Sequence, residues 1–251
     1  MKKYIALLLS ALMVLCLFAG CGTQESETSE PPAAESADPV ETAGAGETEG
    51  GYKFGLTTMG EASFWDAVEE GVLNVMNEGD ELIFVEGEHG NAAGQVDIIE
   101  DFIAQGCDLV FFNPVDADAA TSCLNLLEEA GIPVINFDSA CTDMSTVETF
   151  CATDNYAAGA LAACSAITGA GADVDLYSVN GGPEAKAKML ADGEEGVWRA
   201  TSAQQPIKMG ETICELAYQY LAGEELESEY LIDAFIISPA NIEEYAGSDW
   251  Q

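Results

Sequence analysis

The 251-residue chain carries 45 acidic and 7 basic residues, and its net charge at pH 7 is −38. A surface this acidic repels phosphates and other anions, so neither a nucleic-acid partner nor an anionic substrate is expected. Acidity of this kind commonly serves solubility, and it does not identify a ligand.

The first twenty residues have the three parts of an export signal. Lys2 and Lys3 precede an apolar run from Tyr4 to Phe18, and small residues follow. The run is too short for a transmembrane helix. The sequence LFAGC resembles the lipobox of bacterial lipoproteins, which implies a lipid on Cys21 and attachment to the outer face of the cytoplasmic membrane. Plain secretion is the alternative.

Residues 21–51 differ in composition from the rest of the chain. They consist mainly of Ser, Thr, Glu, Pro, Ala and Gly and contain no aromatic residue. Such a segment buries too little apolar surface to fold, which predicts a disordered acidic tether. The folded part begins near Tyr52, and its roughly 200 residues are enough for one sizeable or two small lobes.

Strands and helices are expected to alternate over residues 52–152, which form the first lobe. This βα order predicts a parallel α/β sheet. One helix has Phe64, Val68, Val72 and Val75 on its core face. The next has Val96, Ile99, Phe102 and Ile103 there and ends at Gly106. The predicted strands are Lys53–Thr57, Leu82–Val85, Asp108–Phe112, Val134–Phe137 and Val147–Ala152, the last of which is alternatively a crossover to a second sheet.

The stretch Asp108–Asp138 is the strongest pattern in the chain. Two short apolar runs, each typical of a strand buried on both faces, flank a helix between Ala117 and Ala130. Asn113 follows the first strand and Asp138 the second. In a parallel sheet, ligands bind outside the carboxyl ends of the strands, so these two side chains are expected on one rim.

The rest of the chain is predicted to contain a small second lobe, residues 153–205, and a C-terminal part, residues 206–251, that returns to the first lobe. A helix with Met209, Ile213, Leu216 and Tyr220 inward opens the C-terminal part, and one final strand is expected over Tyr230–Ile237. The other predicted elements are helices Asn155–Ile167 and Pro183–Leu190 and strands Val174–Val179 and Val197–Ala203.

The census of reactive residues predicts no catalytic or metal site. GEHGNAAG, from Gly87 to Gly94, follows a strand and opens a helix, but its spacing is neither GxGxxG nor a P-loop. His89 is the only histidine and is expected to be solvated, so no Ser-His-Asp triad, Cys-His dyad or His-based metal site can form. Buried thiols are expected at Cys107, Cys123, Cys141, Cys151, Cys164 and Cys214, with a Cys141–Cys151 disulfide as the alternative.

Polar and aromatic residues near strand ends suit hydroxyl recognition. Phe64 and Trp65 point in different directions at a helix start, so one of them can enter the core while the other faces the cleft. An aromatic face stacks on the C–H face of a sugar ring, while the carboxylate of Asp138 and the amides of Asn113 and Asn180 take its hydroxyls. The alternatives are core packing for both aromatic residues and a capping role for Asp138.

Several segments, in order, resemble the type I periplasmic binding proteins, in particular the ribose- and galactose-like sugar-binding subunits of ABC importers. They are GLTTMGEASFWDAVEEG, DLVFFNPVDADAA, GIPVINFD, VETFCATDNYAAG, and VNGGPEAKAKMLADG followed by ATSAQQPIKMG. The resemblance implies a monomeric binding protein without enzymatic activity or cofactor, which works with a permease. It implies sugar contacts from Thr58, Phe64, Trp65, Asn113, Asp138, Asn180 and Gln204.

The same resemblance indicates an internal deletion. Ser139 stands where ribose binders have arginine, and Asn180 where aspartate is usual. Helix Asn155–Ile167 runs almost directly into the next strand, so about two βα units of the second lobe are missing on ordinary element lengths. Weak or absent sugar binding is therefore expected. The functions left open are sugar capture for an ABC permease, a sugar-sensing receptor, and a non-functional deletion product.

Overall fold

A computed structural model of the protein describes residues 51–169, 175–247 and 250. The predicted signal, Cys16, Cys21 and nearly all of the tether lie outside the described residues, as does the side chain of Cys164. Within the described ranges, no helix is long and apolar enough to cross a membrane.

Nine strands and seven helices follow one another in the described part of the chain. They are β1 (Lys53–Thr58), α1 (Ser63–Val75), β2 (Glu81–Glu86), α2 (Ala92–Gln105), β3 (Leu109–Phe112), α3 (Ala120–Ala130), β4 (Val134–Phe137), β5 (Thr149–Thr153), α4 (Asn155–Gly169), β6 (Leu176–Asn180), α5 (Pro183–Asp192), β7 (Trp198–Ala203), α6 (Pro206–Leu221), β8 (Glu229–Ile232), β9 (Phe235–Ile237) and α7 (Ile242–Tyr245). A single 3-10 turn, Gly193–Glu195, follows α5.

The first sheet has six parallel strands in the order β2-β1-β3-β4-β5-β8. Its strands β1 to β5 confirm the predicted ones within two residues at each end. β5 pairs with β4 and β8, so it belongs to this sheet and is not a crossover to the second. Glycines in the left-handed conformation end α2 at Gly106 and α3 at Gly131, as their positions in the sequence indicate.

Alternate residues of the central strands enter two separate cores. Leu109 and Phe111 pack with α1 and α6 on one face, whereas Val110 and Phe112 pack with α2 and α3 on the other. Burial on both faces explains why these strands are continuous apolar runs. Five cysteines lie in these cores as free thiols, so the alternative Cys141–Cys151 disulfide is not formed; they are Cys107, Cys123, Cys141, Cys151 and Cys214.

Helices α1 and α6 cross in direct backbone contact. A methyl group added to Gly71 of α1 would lie 2.0 Å from the carbonyl oxygen of Ile207, and one added to Gly210 of α6 would lie 1.9 Å from that of Val68. Glycine at both positions therefore allows the two helices to approach closely. This crossing fixes the position of α1, whose first turn carries Phe64 and Trp65.

The second sheet has three strands in the order β6-β7-β9. β6 and β7 are parallel, and β9 is antiparallel to β7. Met189 of α5 and Ile242 of α7 pack with Ala203 and Ile237 in a small core of this sheet. The sheet is thus half as wide as the first in the part of the chain that the structure describes.

The chain passes between the two sheets at three points, which lie side by side. They follow β5, β7 and β8. The backbone N–H of Asp154 donates to Ile232 O (3.0 Å), and Gln205 Nε2 donates to Asp233 O (2.8 Å). The single final strand predicted over Tyr230–Ile237 is wrong, because Glu229–Ile232 pairs with the first sheet and Phe235–Ile237 with the second.

Candidate functional site

A cleft of about 390 Å³ lies at the carboxyl ends of strands from both sheets. Its volume is at the lower end of the range for small-molecule sites. The lining residues have apolar, aromatic or polar uncharged side chains, apart from one carboxylate and one imidazole. They are Met59, Ala62, Phe64, Trp65, His89, Asp138, Ser139, Asn155, Asn180 and Gln204.

Phe64 and Trp65 form the aromatic wall of this cleft. Their rings meet edge to face, with centroids 4.8 Å apart, and Trp65 meets Phe137 of β4 in the same manner at 6.1 Å. Trp65 is buried, whereas Phe64 is only partly buried. Phe64 packs against the core as predicted, but only at its margin, where its ring meets that of Trp250. Trp65, which was not part of the predicted core face, is the aromatic residue buried in the core.

Asp138 supplies the only carboxylate among the described residues that line the cleft. It follows β4 in the left-handed conformation, with φ 58°. Its Oδ2 accepts a hydrogen bond from Ser139 Oγ (3.0 Å), and none of these lining residues is Lys or Arg. Burial raises the pKa of the Asp138 carboxyl, and the hydrogen bond from Ser139 acts in the opposite direction. The carboxylate thus lacks a charged partner and gains most from a ligand that donates hydrogen bonds.

Asn113 and Thr58 lie behind the rim and do not line the cleft. Asn113 Oδ1 accepts from the backbone N–H of Met59 (2.9 Å), and its Nδ2 donates to Phe137 O (3.1 Å). Thr58 Oγ1 donates to Gly60 O (3.2 Å). Both side chains are fully buried. Asn113 therefore ties the exits of β1, β3 and β4 together, so that the residues in front of it are held in place.

The opposite wall comes from Asn180, Gln204 and Asn155. Asn180 ends β6 with φ 96°, a conformation that asparagine tolerates better than most residues. Its carbonyl accepts from the backbone N–H of Gln204 (3.0 Å). Gln204 Nε2 donates to Asn155 Oδ1 (3.1 Å), which links the exit of β7 to the start of α4. The wall therefore consists of amide groups.

Of the seven ligand residues expected from the sequence, five line the cleft: Phe64, Trp65, Asp138, Asn180 and Gln204. Five lining residues were not among them: Met59, Ala62, His89, Ser139 and Asn155. Asn155 lies in the DN pair that opens α4. Its position at the start of a helix, directly after a strand, could have predicted that it lies at the rim of the sheet. His89 is exposed, as predicted, but it also borders the cleft, and no spacing in the sequence indicates this.

The chemistry of the lining suits a neutral ligand with several hydroxyls. The described residues contain no cluster of His, Cys, Asp and Glu that would hold a metal ion. The aromatic wall can stack on an apolar face, and the carboxylate and amides can exchange hydrogen bonds with hydroxyls around it. The fold is an open α/β fold, and the cleft lies at the carboxyl ends of the strands, where ligands bind in proteins of this class.

The chain belongs to the family described as "Periplasmic binding protein domain", which matches residues 53–187, over half of the sequence. This confirms the resemblance to type I periplasmic binding proteins and the α/β fold that it implies. The ribose import binding protein RbsB of Bacillus subtilis (strain 168) is 27% identical over 125 residues, which are 49% of this chain and 40% of that protein. The chain thus matches well under two thirds of that relative's length.

Solved structures of transporter solute-binding proteins have the same fold. One from Mycobacterium smegmatis, with bound glycerol, superimposes with a TM-score of 0.70 at 18% identity, over 80% of this chain and 99% of that one. Another from Bacillus halodurans C-125, with bound myo-inositol, gives 0.62 at 17% identity over the same shares. At this level of identity the likeness shows the fold alone.

Proposed function

We propose that this chain is the substrate-binding subunit of an ABC importer, that it is not an enzyme, and that it captures a monosaccharide or related polyol for delivery to a permease. The observation that carries the proposal is the unpaired carboxylate of Asp138 beside the aromatic wall of Phe64 and Trp65. RbsB is named for ribose import, and the two solved relatives hold glycerol and myo-inositol, which supports a polyol ligand.

The proposal assigns different roles to the predicted site residues. Phe64 and Trp65 stack on the ligand, while Asp138, Asn180 and Gln204 bond to its hydroxyls. Thr58 and Asn113 act indirectly, because their polar atoms hold the strand exits. Further parts of the proposal are a monomeric receptor, export, and a lipid on Cys21 that attaches the acidic tether to the membrane.

We further propose that binding is weak. The second lobe, with the three strands β6, β7 and β9, has little core of its own. The βα units that the family resemblance indicates to be missing would have supplied part of the facing wall. A cleft excludes water well only when both walls are complete, and hydroxyl contacts are strongest where water is excluded. The expected dissociation constant is therefore weaker than about 1 μM, the value that corresponds to about −8 kcal/mol.

Isothermal titration and ligand-detected NMR of the non-lipidated exported chain against a panel of monosaccharides and polyols test this function. The expected result is saturable but weak binding of at least one neutral polyol. Asp138→Asn and Gln204→Ala should weaken it at least tenfold, since the first removes the charge that strengthens hydrogen bonds from the ligand and the second removes the amide. Asp101→Asn, an exposed aspartate on α2, is the matched control and should bind as the wild type does.

Three outcomes separate the possibilities. A micromolar or tighter dissociation constant would contradict weak binding while supporting the function. Equal binding by Asp138→Asn and the wild type would place the ligand elsewhere. No binding of any panel member, in a chain that melts cooperatively, would favour the non-functional deletion product.

A further inference from the structure

The loop Gly87–Gly90 is docked onto the exit of β1 by two close contacts. The backbone N–H of Gly87 donates to Thr58 O (2.9 Å), and a methyl group at Gly87 would lie 2.4 Å from the same oxygen. A methyl group at Gly60 would lie 2.5 Å from both Cδ2 and Nε2 of His89. Glycine at these two positions therefore lets the imidazole of His89 rest against the β1–α1 turn.

The second half of the GEHGNAAG segment fixes the other end of this loop. Gly90 has φ 77°, a left-handed conformation that favours glycine. Asn91 caps α2 by accepting from the backbone N–H of Gly94 (3.0 Å), and its Nδ2 donates to Glu88 Oε2 (3.0 Å). The glycines and the cap thus hold a short loop whose tip carries His89. The segment that resembles a phosphate loop in its glycine content serves here to place an imidazole.

His89 lies between two different surroundings. On one side it borders the cleft together with Phe64, Trp65 and Asp138. On the other side it borders a second depression with Glu61, Gly87 and Glu88. Within the described residues, it is the only side chain of the cleft lining that can become a cation, because no Lys or Arg takes part.

We propose that His89 contacts the bound ligand and, when protonated, donates a charge-assisted hydrogen bond to one of its oxygens, so that a neutral monosaccharide or polyol binds more tightly at pH 5.5 than at pH 7.5. This inference rests on the proposed function of the same cleft. Histidine is the side chain that ordinarily changes charge between pH 5 and 8. The amides of the opposite wall are neutral donors, whereas an imidazolium donor makes a hydrogen bond roughly twice as strong.

The charged groups around His89 among the described residues are all carboxylates. Asp138 lines the same cleft, and Glu61 and Glu88 line the second depression beside it. Glu86, at the end of β2, interacts with Glu61 and with the backbone of Ala62 in the same turn. An imidazolium at this position is the one charged donor among the described residues of the cleft lining.

The test uses the exported chain without a histidine tag, because His89 is the single histidine of the sequence. D-ribose, D-fucose and myo-inositol are titrated at pH 5.5 and 7.5 into the wild type, His89→Gln and Asp101→Asn, with selectively ¹⁵N-labelled histidine in the two chains that retain it. For the tightest of the three probes, we expect the wild type to gain roughly fivefold more affinity on acidification than His89→Gln does. Asp101→Asn, which changes an exposed aspartate on α2 away from the cleft, should behave as the wild type.

The imidazole signal supplies an independent readout. Addition of the probe should shift this signal and change the pH at which it titrates, which a merely structural histidine would not show. If the probe binds while the signal stays unmoved, or if the wild type and His89→Gln gain equally on acidification, the role of His89 is overturned and the function of the cleft stands. If none of the three probes binds at either pH, both proposals fail.

Discussion

The crossing of α1 and α6 offers a sharp test of how the fold supports the site. Gly71 and Gly210 face each other's helix backbone, and the carbonyl oxygens of Ile207 and Val68 lie 2.0 and 1.9 Å from where a methyl group would stand. Real contacts of this kind are ordinary from 3.4 Å outward. Gly71→Ala must therefore move α1 and α6 apart by more than 1 Å.

The expected loss of stability in Gly71→Ala follows from the packing of the two helices. Overpacking of a tight contact costs about 1–3 kcal/mol, and separating the helices adds a penalty for the gap opened around buried neighbours such as Val68 and Met209. Alanine returns at most about 1 kcal/mol through its higher helix propensity. We expect a net loss of about 2–3 kcal/mol in the free energy of unfolding. For a folded part of this size, that lowers the thermal midpoint by roughly 5–10 °C.

Urea unfolding followed by tryptophan fluorescence measures this loss, because Trp65 is buried at the start of α1. Gly159→Ala is the matched control. Gly159 also lies inside a helix, α4, but a methyl group there meets nothing within 4 Å. The control should gain about 0.5–1 kcal/mol through helix propensity. If Gly71→Ala is as stable as Gly159→Ala, the backbone contact does not exist as described.

Two further predictions concern the rim of the cleft. Asn113→Ala leaves the backbone N–H of Met59 and the carbonyl of Phe137 without their buried partner. It should cost about 2–4 kcal/mol in urea unfolding, and an unchanged midpoint would refute the tie between strand exits. Burial raises the pKa of Asp138, so the folded state binds its proton more tightly than the unfolded state does, and stability falls as the pH rises above the ordinary aspartate pKa. Asp138→Asn should therefore melt above the wild type at pH 7 without ligand and level with it near pH 3, whereas a difference independent of pH would contradict this.

Some parts of the fold were predictable because local pattern and tertiary role agree. Strands buried on both faces must be apolar throughout, so Leu109–Phe112 and Val134–Phe137 are recognisable as short runs between turn residues. The parallel pairing of β3 and β4 confirms that Asn113 and Asp138 follow adjacent strands at one rim. The topology of a parallel sheet therefore predicts which edge of the sheet can bind a ligand, even when no side-chain contacts are known.

The run Tyr230–Ile237 shows where local pattern fails. It is apolar at both ends, but its halves pair with strands of different sheets, β8 with β5 and β9 with β7. Hydrophobicity indicates that a strand residue is buried, but it does not identify the strand with which that residue pairs. Local pattern also does not decide whether Phe64 or Trp65 is the buried residue. Adjacent positions of a helix differ by only about 100° around its axis, so either side chain could face the core.

The sequence by itself determined the α/β class, the acidic surface, the order of the elements and the residues that follow each strand. These depend on composition and on contacts between neighbours in the chain. Only the tertiary structure decided what those residues do: Asn113 bonds to Met59 and Phe137, 54 and 24 residues away, and so lies behind the cleft. His89 reaches the cleft because glycines at positions 60 and 87 admit its loop to the β1 exit. Such roles arise from contacts between residues that are distant in sequence, so the local spacing of residues along the chain cannot predict them.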